Sequence, residues 1–340
     1  MKGPWSLQDI KQTKNVSVFS CFHCGGGSTM GYKLAGFKVL GGVELDKDMM
    51  EIYRENFNPS ISYQMAIQDF NKKQKYPDEL YNLDILDGSP PCSTFSMNGK
   101  REKKWGDKHK FREGQAIQNL DDLFFDFIKT VNILKPKVVI AENVKGLMLG
   151  NAKGYVKQIF TELDKIGYTT QLFLLNAASM GVPQRRERVF FLSTRKNLKR
   201  PKIKLHFTEK PITYKKMLEL HNIKDNKGQM ELKTKLSQRY NKCKPGKSFS
   251  SVFKHIGNSF SYTRLSYDQV PPTLTNDRFY HPKYTRRLTT EEYSAIQSFP
   301  YDYNFLNKPA PYILGMSVPP FMMERIAKEV YSQWLDQKSK

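Results

Sequence analysis

The amino-acid sequence predicts an α/β fold: a mostly parallel sheet covered by helices, joined to a second, smaller basic lobe. Three observations predict it. Over residues 1–194, short β-prone apolar runs alternate with segments whose apolar residues recur at helical spacing. Turn-forming clusters, above all Gly25-Gly26-Gly27, punctuate that alternation. After Thr194 it fades, and residues 195–254 hold 18 Lys and Arg against 4 Asp and Glu. A chain of 340 residues, 39% hydrophobic, can bury a full core in two lobes and is not a disordered chain.

The elements follow in order. Residues 16–22 read as a buried strand, then the glycine turn, then a helix through Leu34 that ends near Gly36. Residues 39–45 form the next strand, closed by Glu44 and Asp46, and residues 46–56 a helix. Residues 83–86 are strand-like and lead toward Cys92. Residues 98–118 are rich in Lys and Gly without an apolar period, which predicts a mobile loop. Leu123, Phe124, Phe127, Ile128, Val131 and Leu134 share one helical face within residues 121–134. A short buried strand, 138–141, ends in Glu142-Asn143; a helix over 155–166 and strands over 170–175 and 189–192 complete the first lobe. In such sheets ligands bind beyond the carboxyl ends of the strands. The glycine turn, Glu44, Cys92 and Glu142 are therefore expected on one rim.

The basic lobe runs to about Tyr284. Thr289-Thr290-Glu291-Glu292 fits a capping box opening a helix to about Gln297. Residues 320–334 read as a final amphipathic helix that docks on the first lobe.

The formal net charge of +22 calls for a polyanionic partner, most simply nucleic acid; a basic protein that binds none is the alternative. Cys21, Cys24, Cys92 and Cys243 make no disulfide framework. Cys21-Phe22-His23-Cys24 has the spacing of half a zinc site or a redox pair, but no second such pair completes it, so no metal is expected. Residues 1–5 carry no apolar leader, and no apolar run is long enough to span a membrane. A reducing, cytoplasmic setting is expected.

Asp84-Ile85-Leu86-Asp87-Gly88-Ser89-Pro90-Pro91-Cys92 places a thiol directly after an apolar stretch and a rigid double proline. That layout presents a cysteine at the mouth of a sheet, where a thiolate of lowered pKa is a strong nucleophile. Taken alone it also fits an inert, packed cysteine in a loop.

The rest of the chain decides between them. Phe22-His23-Cys24-Gly25-Gly26-Gly27 follows the first strand and Glu44 ends the second. Pro91-Cys92, Glu142-Asn143-Val144 and Gln184-Arg185-Arg186-Glu187-Arg188 come next. Arg287-Leu288-Thr289 and Gln297-Ser298-Phe299-Pro300 bracket a helix, and Gly315-Met316-Ser317-Val318-Pro319-Pro320 opens the last one. Each piece alone is weak, but the series and its order are specific. It resembles the DNA (cytosine-5) methyltransferase family, of the restriction-modification or phage kind, over nearly the whole chain outside the basic lobe.

The resemblance implies a Rossmann-like S-adenosylmethionine-dependent methyltransferase fold. Residues 1–194 would be the catalytic, cofactor-binding domain, 195–284 the target-recognition domain, and 285–340 a return segment completing the catalytic domain. It implies that Cys92 attacks carbon 6 of cytosine, which turns carbon 5 into an enamine-like nucleophile. Glu142 matches the glutamate that protonates ring nitrogen 3. Arg188 matches the arginine that contacts the flipped base and orients Glu142, and Arg186 the one that supports the nucleophile's loop. A surface ion pair with Glu187 is the plain alternative for these arginines.

The implied cofactor is S-adenosyl-L-methionine, with Phe22, Gly25, Gly27, Glu44, Ile67, Pro90 and Ser317 at cofactor-lining positions. An acidic residue ending strand two suits ribose hydroxyls, and glycines let backbone approach a ligand. Four positions depart from the family pattern: Cys24 where glycine is usual, Ala66 where an aspartate meets the adenine amino group, Met316 for asparagine, and Leu45 for an aromatic. They predict weak cofactor binding with normal turnover at saturation.

The implied partner is double-stranded DNA, its target base flipped out of the helix. Residues 93–111, with Lys100, Arg101, Lys103, Lys104, Lys108 and Lys110, match the loop that closes over DNA; a solvated charge run is the plain alternative. A monomer is expected, with a cognate restriction endonuclease as a further partner. A branch of the family that modifies transfer RNA carries a Cys-Phe-Thr signature, absent here, and a shorter recognition lobe. A catalytically inactive DNA-binding relative would not need Cys92, Glu142, Arg186 and Arg188 together. Lys244-Pro245-Gly246-Lys247-Ser248 has a passing likeness to a phosphate loop, but Asn241 stands where the upstream glycine is required, so no nucleotide site is expected there.

Overall fold

The computed structural model describes residues 3–91, 108–109, 118–119, 123–149, 152–227, 234–252, 262–275 and 277–336. Cys92 and most of the expected loop over 93–111 lie outside them. The chain forms two compact units. One comprises Ile10–Leu175, Glu187–His206 and Met323–Lys340; the other comprises Met1–Asp9, Asn176–Arg186 and Phe207–Met322.

The first unit holds, in chain order, β1 (Ser17–Cys21), α1 (Gly27–Leu34), β2 (Lys38–Glu44), α2 (Lys47–Phe57), β3 (Ile61–Gln64), α3 (Ile67–Phe70), α4 (Asp78–Tyr81) and β4 (Ile85–Gly88). A short antiparallel pair follows, β5 (Lys108–His109) with β6 (Gln118–Asn119). Then come α5 (Leu123–Leu134), β7 (Val138–Val144), α6 (Ala152–Lys165), β8 (Tyr168–Asn176) and β9 (Glu187–Arg195). The main sheet has the order β3-β2-β1-β4-β7-β9-β8. Strands β3, β2, β1, β4 and β7 run parallel, as the alternation of strands and helices predicts. β9 runs antiparallel to β7. The link from β8 to β9 contains no α-helix, and a parallel return needs a crossover of a dozen or more residues, usually helical.

The core follows the two-residue period of the strands. Phe19 and Cys21 of β1, Leu86 of β4, Val139 and Ala141 of β7, and Val189 and Phe191 of β9 face one side. Phe124, Phe127, Ile128, Val131 and Leu134 of α5 pack there, with Tyr155, Ile159 and Leu163 of α6. Each such side chain contributes about 1.5–3 kcal/mol by leaving water. Gly88 ends β4 because a Cβ there would stand 2.4 Å from the Phe127 ring. The alternate residues of β1, β4 and β7, among them Ser20, Asp87 and Glu142, are buried on the opposite face. That face therefore carries polar groups near the carboxyl ends of the strands.

The sheet order reverses between β1 and β4, the position where open α/β sheets open a crevice. Ser89 N donates to Cys21 O (3.2 Å) and so ties the ends of these two strands together. β3, α3 and α4 were not anticipated; each has four residues, too few to show a period.

The second unit contains α7 (Tyr214–Leu220), α8 (Thr234–Lys242), the parallel pair β10 (Thr263–Arg264) and β11 (Phe279–Tyr280), α9 (Thr290–Ile296) and α10 (Ala310–Met316). α9 opens with the predicted capping box: Thr289 Oγ1 accepts from Glu292 N, and Glu292 Oε2 accepts from Thr289 N. Glu292 also takes two bonds from the Arg286 guanidinium and one from the Tyr214 hydroxyl, which satisfies a buried carboxylate. α11 (Pro320–Val330) leaves this unit and ends in the first, where a single π-helical turn, Tyr331–Leu335, follows it.

Candidate active site

Of the residues expected on one rim, the glycine turn, Glu44 and Glu142 lie at or near the carboxyl ends of strands in the sheet unit; Cys92 is outside the described residues. The chain leaves β1 through a turn in which Phe22 (φ 57°) and Cys24 (φ 49°) are left-handed, as is Gly26 (φ 84°). Non-glycine residues in that region cost about 1–2 kcal/mol each, so the turn is held by other bonds. Phe22 N donates to Val43 O, Gly26 N to His23 O, and Cys24 N to Glu44 Oε2 (3.0 Å).

Glu44, at the end of β2, also accepts from Leu45 N and Asp46 N through Oε1. Burial raises its pKa, and the amides of Asp46, Cys24 and Leu45 oppose that rise. A carboxylate offers about four acceptor sites, and backbone amides take three. One acceptor remains at the mouth of the crevice, which fits a ribose hydroxyl. Gly25 and Gly27 are buried in the turn, Ile67 is buried at the start of α3, and Pro90 is buried two residues beyond β4. These residues fit S-adenosylmethionine. Ser317 lies in the second unit, where its hydroxyl donates to Ile313 O.

The departures acquire a setting. Cys24 Sγ contacts Met49 Sδ at 3.6 Å, and Cys21 is buried in the core with its thiol pushed well up by burial. Ala66 is the N-cap residue of α3 and leaves it without a side-chain cap. Asp69, a candidate to replace the missing aspartate, pairs with Lys72 at the surface. His23 stacks on Tyr53 (centroids 3.8 Å apart), and burial pushes its pKa down to about 4.

Glu142 sits near the carboxyl end of β7, paired with Phe190 in β9, while Val144 pairs with Arg188. That register puts Glu142 and Arg188 diagonally across one face. Arg188 Nε lies 3.0 Å from Glu142 Oε1. Desolvation lowers the Arg188 pKa, and the Glu142 charge and hydrogen bond oppose it. Glu187 turns instead to Lys145 Nζ (2.8 Å), so the alternative of an arginine pairing with Glu187 is overturned.

Two contributions escaped the sequence reading. Asn143 Nδ2 donates to Pro90 O (3.2 Å) and fastens β7 to the double proline that leads to Cys92. Its signal was its place beside Glu142. Asp87, buried on the same face as Glu142, accepts from the Tyr32 hydroxyl (3.0 Å). Burial pushes its pKa up to about 7, against the hydroxyls of Tyr32, Ser20 and Ser28, and the nearby Glu142 charge adds to the rise. Its signal was a carboxylate inside an apolar run.

In the second unit, Arg186 is buried and donates to Leu274 O (3.0 Å) and Gly315 O (2.9 Å). Gln184 bonds Gln297 and Leu274 N, and Gln297 Nε2 donates to Ser317 O. Gln184, Arg186 and Gln297 thus knit three of the sequence motifs into one buried network.

Comparisons agree with this arrangement. Residues 16–332 match the model of the C-5 cytosine-specific DNA methylase family. Type II methyltransferase M1.HphI of Haemophilus parahaemolyticus is 28% identical over 93% of this chain and 87% of its own length. Type II methyltransferase M.Sau96I of Staphylococcus aureus is 28% identical over 88% of this chain and 71% of its own. Among solved structures, one described as a DNA modification methyltransferase encoded within an Escherichia coli prophage superposes with a TM-score of 0.72 at 22% identity, covering 94% of this chain and 99% of that one. Spodoptera frugiperda DNMT2 gives 0.64 at 18% identity, over 93% and 100%. At these identities the structural likeness speaks for the fold. With the rim, the Glu142–Arg188 pair and a family match over nearly its whole length, the chain belongs to the C-5 cytosine-specific DNA methylase family.

Proposed function

We propose that this protein methylates carbon 5 of a cytosine flipped out of a specific duplex DNA sequence, through a transient bond to Cys92. The observation that supports it most is the Glu142–Arg188 pair beside the Asn143 tie to Pro90, two residues before Cys92. Cys92 Sγ, as thiolate, bonds to carbon 6. The displaced electron pair moves toward carbon 5, and a proton held by Glu142 at ring nitrogen 3 favours that shift. Arg188 fixes the Glu142 carboxyl for this contact. Once carbon 5 is methylated, its proton passes to solvent water, the freed electron pair expels the Cys92 thiolate and restores the aromatic ring, and the nitrogen 3 proton returns to Glu142. The resemblance gives Arg186 the support of the nucleophile's loop; among the described residues it braces the backbone at Leu274 and Gly315.

S-adenosylmethionine, the family's methyl donor, supplies an electrophilic methyl group on a sulfonium. Phe22, Gly25, Gly27, Glu44, Ile67 and Pro90 of the sheet unit would hold it; the family resemblance alone adds Ser317. Target recognition falls to residues 195–284, most of them in the second unit, with residues 1–194 and 285–340 forming the catalytic domain. Among the described residues no helix is long and apolar enough to cross a membrane. We assign a cytoplasmic monomer acting beside a cognate restriction endonuclease, as befits a chain similar to type II methyltransferases.

The test is transfer of a tritiated methyl group from S-adenosylmethionine to duplex DNA and to transfer RNA, with Cys92→Ser alongside. Labelled 5-methylcytosine in DNA, abolished by Cys92→Ser, is expected. Label confined to RNA would assign the substrate to the other branch, and activity surviving Cys92→Ser would overturn the mechanism.

A further inference from the structure

The second unit contains a recess of about 100 Å³ lined by Arg185, Gly246, Ser266, Gln269 and Pro271 among others. A water's share of liquid is about 30 Å³, so the recess has the bulk of a tetrahedral oxyanion rather than of a single solvent molecule. No carboxylate lines it; Asp268, next to Gln269 in the chain, is not among its lining residues.

Its walls are fixed while its polar groups are unused. Arg185 N donates to Pro271 O (2.8 Å), and Thr273 Oγ1 donates to Arg185 O (2.8 Å), so the Arg185 backbone is clamped on both sides. Its neighbours Gln184 and Arg186 are buried, whereas Arg185 is exposed. Gly246 (φ +79°) donates its N–H to Arg264 O, and a Cβ there would stand 2.7 Å from Gln269 Oε1. The glycine thus lets the Gln269 amide lie against the wall. Among the described residues, the Arg185 guanidinium, the Ser266 hydroxyl and the Gln269 amide have no side-chain hydrogen-bond partner. Lys244 and Lys247, both exposed, flank Gly246 in the chain. A cation carried on a clamped backbone, a hydroxyl and an amide suit a phosphodiester, which offers acceptors only.

We propose that Arg185, Ser266 and Gln269 form a docking recess for one backbone phosphate of duplex DNA. The proposal rests on the reading of this chain as a DNA methyltransferase. Such a contact sets register on the duplex and carries no sequence information. The segment around Gly246 then serves phosphate through an assembled recess, not through the nucleotide loop its residues superficially suggest.

The experiment measures binding of the full chain to a short random-sequence duplex over a range of salt concentrations. Arg185→Gln lowers the magnitude of the slope of log K against log salt by about 0.9, the value of one phosphate contact. Gln269→Glu, which sets a carboxylate beside Arg185, has the same effect, and Arg185→Lys retains the slope. Ser266→Ala leaves the slope intact and weakens binding about three- to tenfold, the range of one lost hydrogen bond. KM for DNA rises in Arg185→Gln while kcat at saturation holds. An unchanged slope in both Arg185→Gln and Gln269→Glu, or unchanged affinity in Ser266→Ala, overturns the recess. Methyl transfer by the unsubstituted protein, run on the same samples, separates this result from failure of the functional reading itself.

Discussion

Arg188 reaches Glu142 across the antiparallel pair β7 and β9, with Nε 3.0 Å from Oε1. Two mostly buried, opposite charges in contact act as one unit, so their substitutions are expected to be non-additive. Glu142→Gln and Arg188→Ala should each lower kcat for DNA methylation by about 10²- to 10⁴-fold. The double variant should fall little below the worse single. Steady-state kinetics on the four proteins gives the cycle, and multiplying losses would show that the pair acts separately.

Asn143 should matter through Pro90. Asn143→Ala removes the bond to Pro90 O. The loss of one buried hydrogen bond is worth about 1–2 kcal/mol of stability. Trapping with 5-fluorocytosine in a duplex should slow by more than tenfold, while the Kd for S-adenosylmethionine stays within about twofold. Equal trapping rates in variant and parent would remove Asn143 from positioning.

Asp87 makes a pH prediction. Its folded pKa of about 7 lies above the ordinary value of 3.8. Between those values the unfolded chain has released a proton that the fold retains, so stability falls as pH rises from about 4 to about 7 and then levels off. The difference is of order 4 kcal/mol. Tyr32 and Ser28 of α1, Ser20 and Cys21 of β1, Tyr53 of α2 and Glu142 of β7 are among the polar and titratable groups around it. Asp87→Asn should flatten that part of the profile. Urea unfolding at pH 4.5 and 8 measures it, and parallel curves for variant and parent would refute it.

Ala66 offers a gain. It holds an extended conformation (φ −65°, ψ 145°) at the N-cap of α3, where a carboxylate can accept from the helix. Ala66→Asp should add about 1 kcal/mol through capping. It should also tighten S-adenosylmethionine binding about tenfold, if the departures from the family pattern weaken it. Titration calorimetry and thermal unfolding read the two effects separately.

The places of the principal strands were legible because burial on both faces leaves long β-prone runs, as at β1 and β2; β7 and β9 run longer than the expected 138–141 and 189–192, because their ends carry polar and charged residues such as Glu142, Asn143 and Arg188. The capping box at Thr289 was equally plain, since it is local chemistry. The direction of β9 was not, because a two-residue period is the same in either sense of the chain. Glu142 and Arg188 were named from the family series, yet their contact depends on that direction. The roles of Asn143 and Asp87 were invisible for another reason: each acts on an element distant in sequence, Pro90 for one and Tyr32 for the other.

The return of α11 to the sheet unit bears on how the molecule is made. Trp334 Nε1 donates to Pro201 O, Gln333 bonds Lys204 in both directions, and Tyr331 packs on Phe37 under the Lys14 ammonium. Phe37, just ahead of β2, therefore waits for a partner that leaves the ribosome only after the second unit has emerged. A nascent chain stalled before Met323 would expose the apolar flank around Phe37, which makes this flank a natural place for a chaperone to bind.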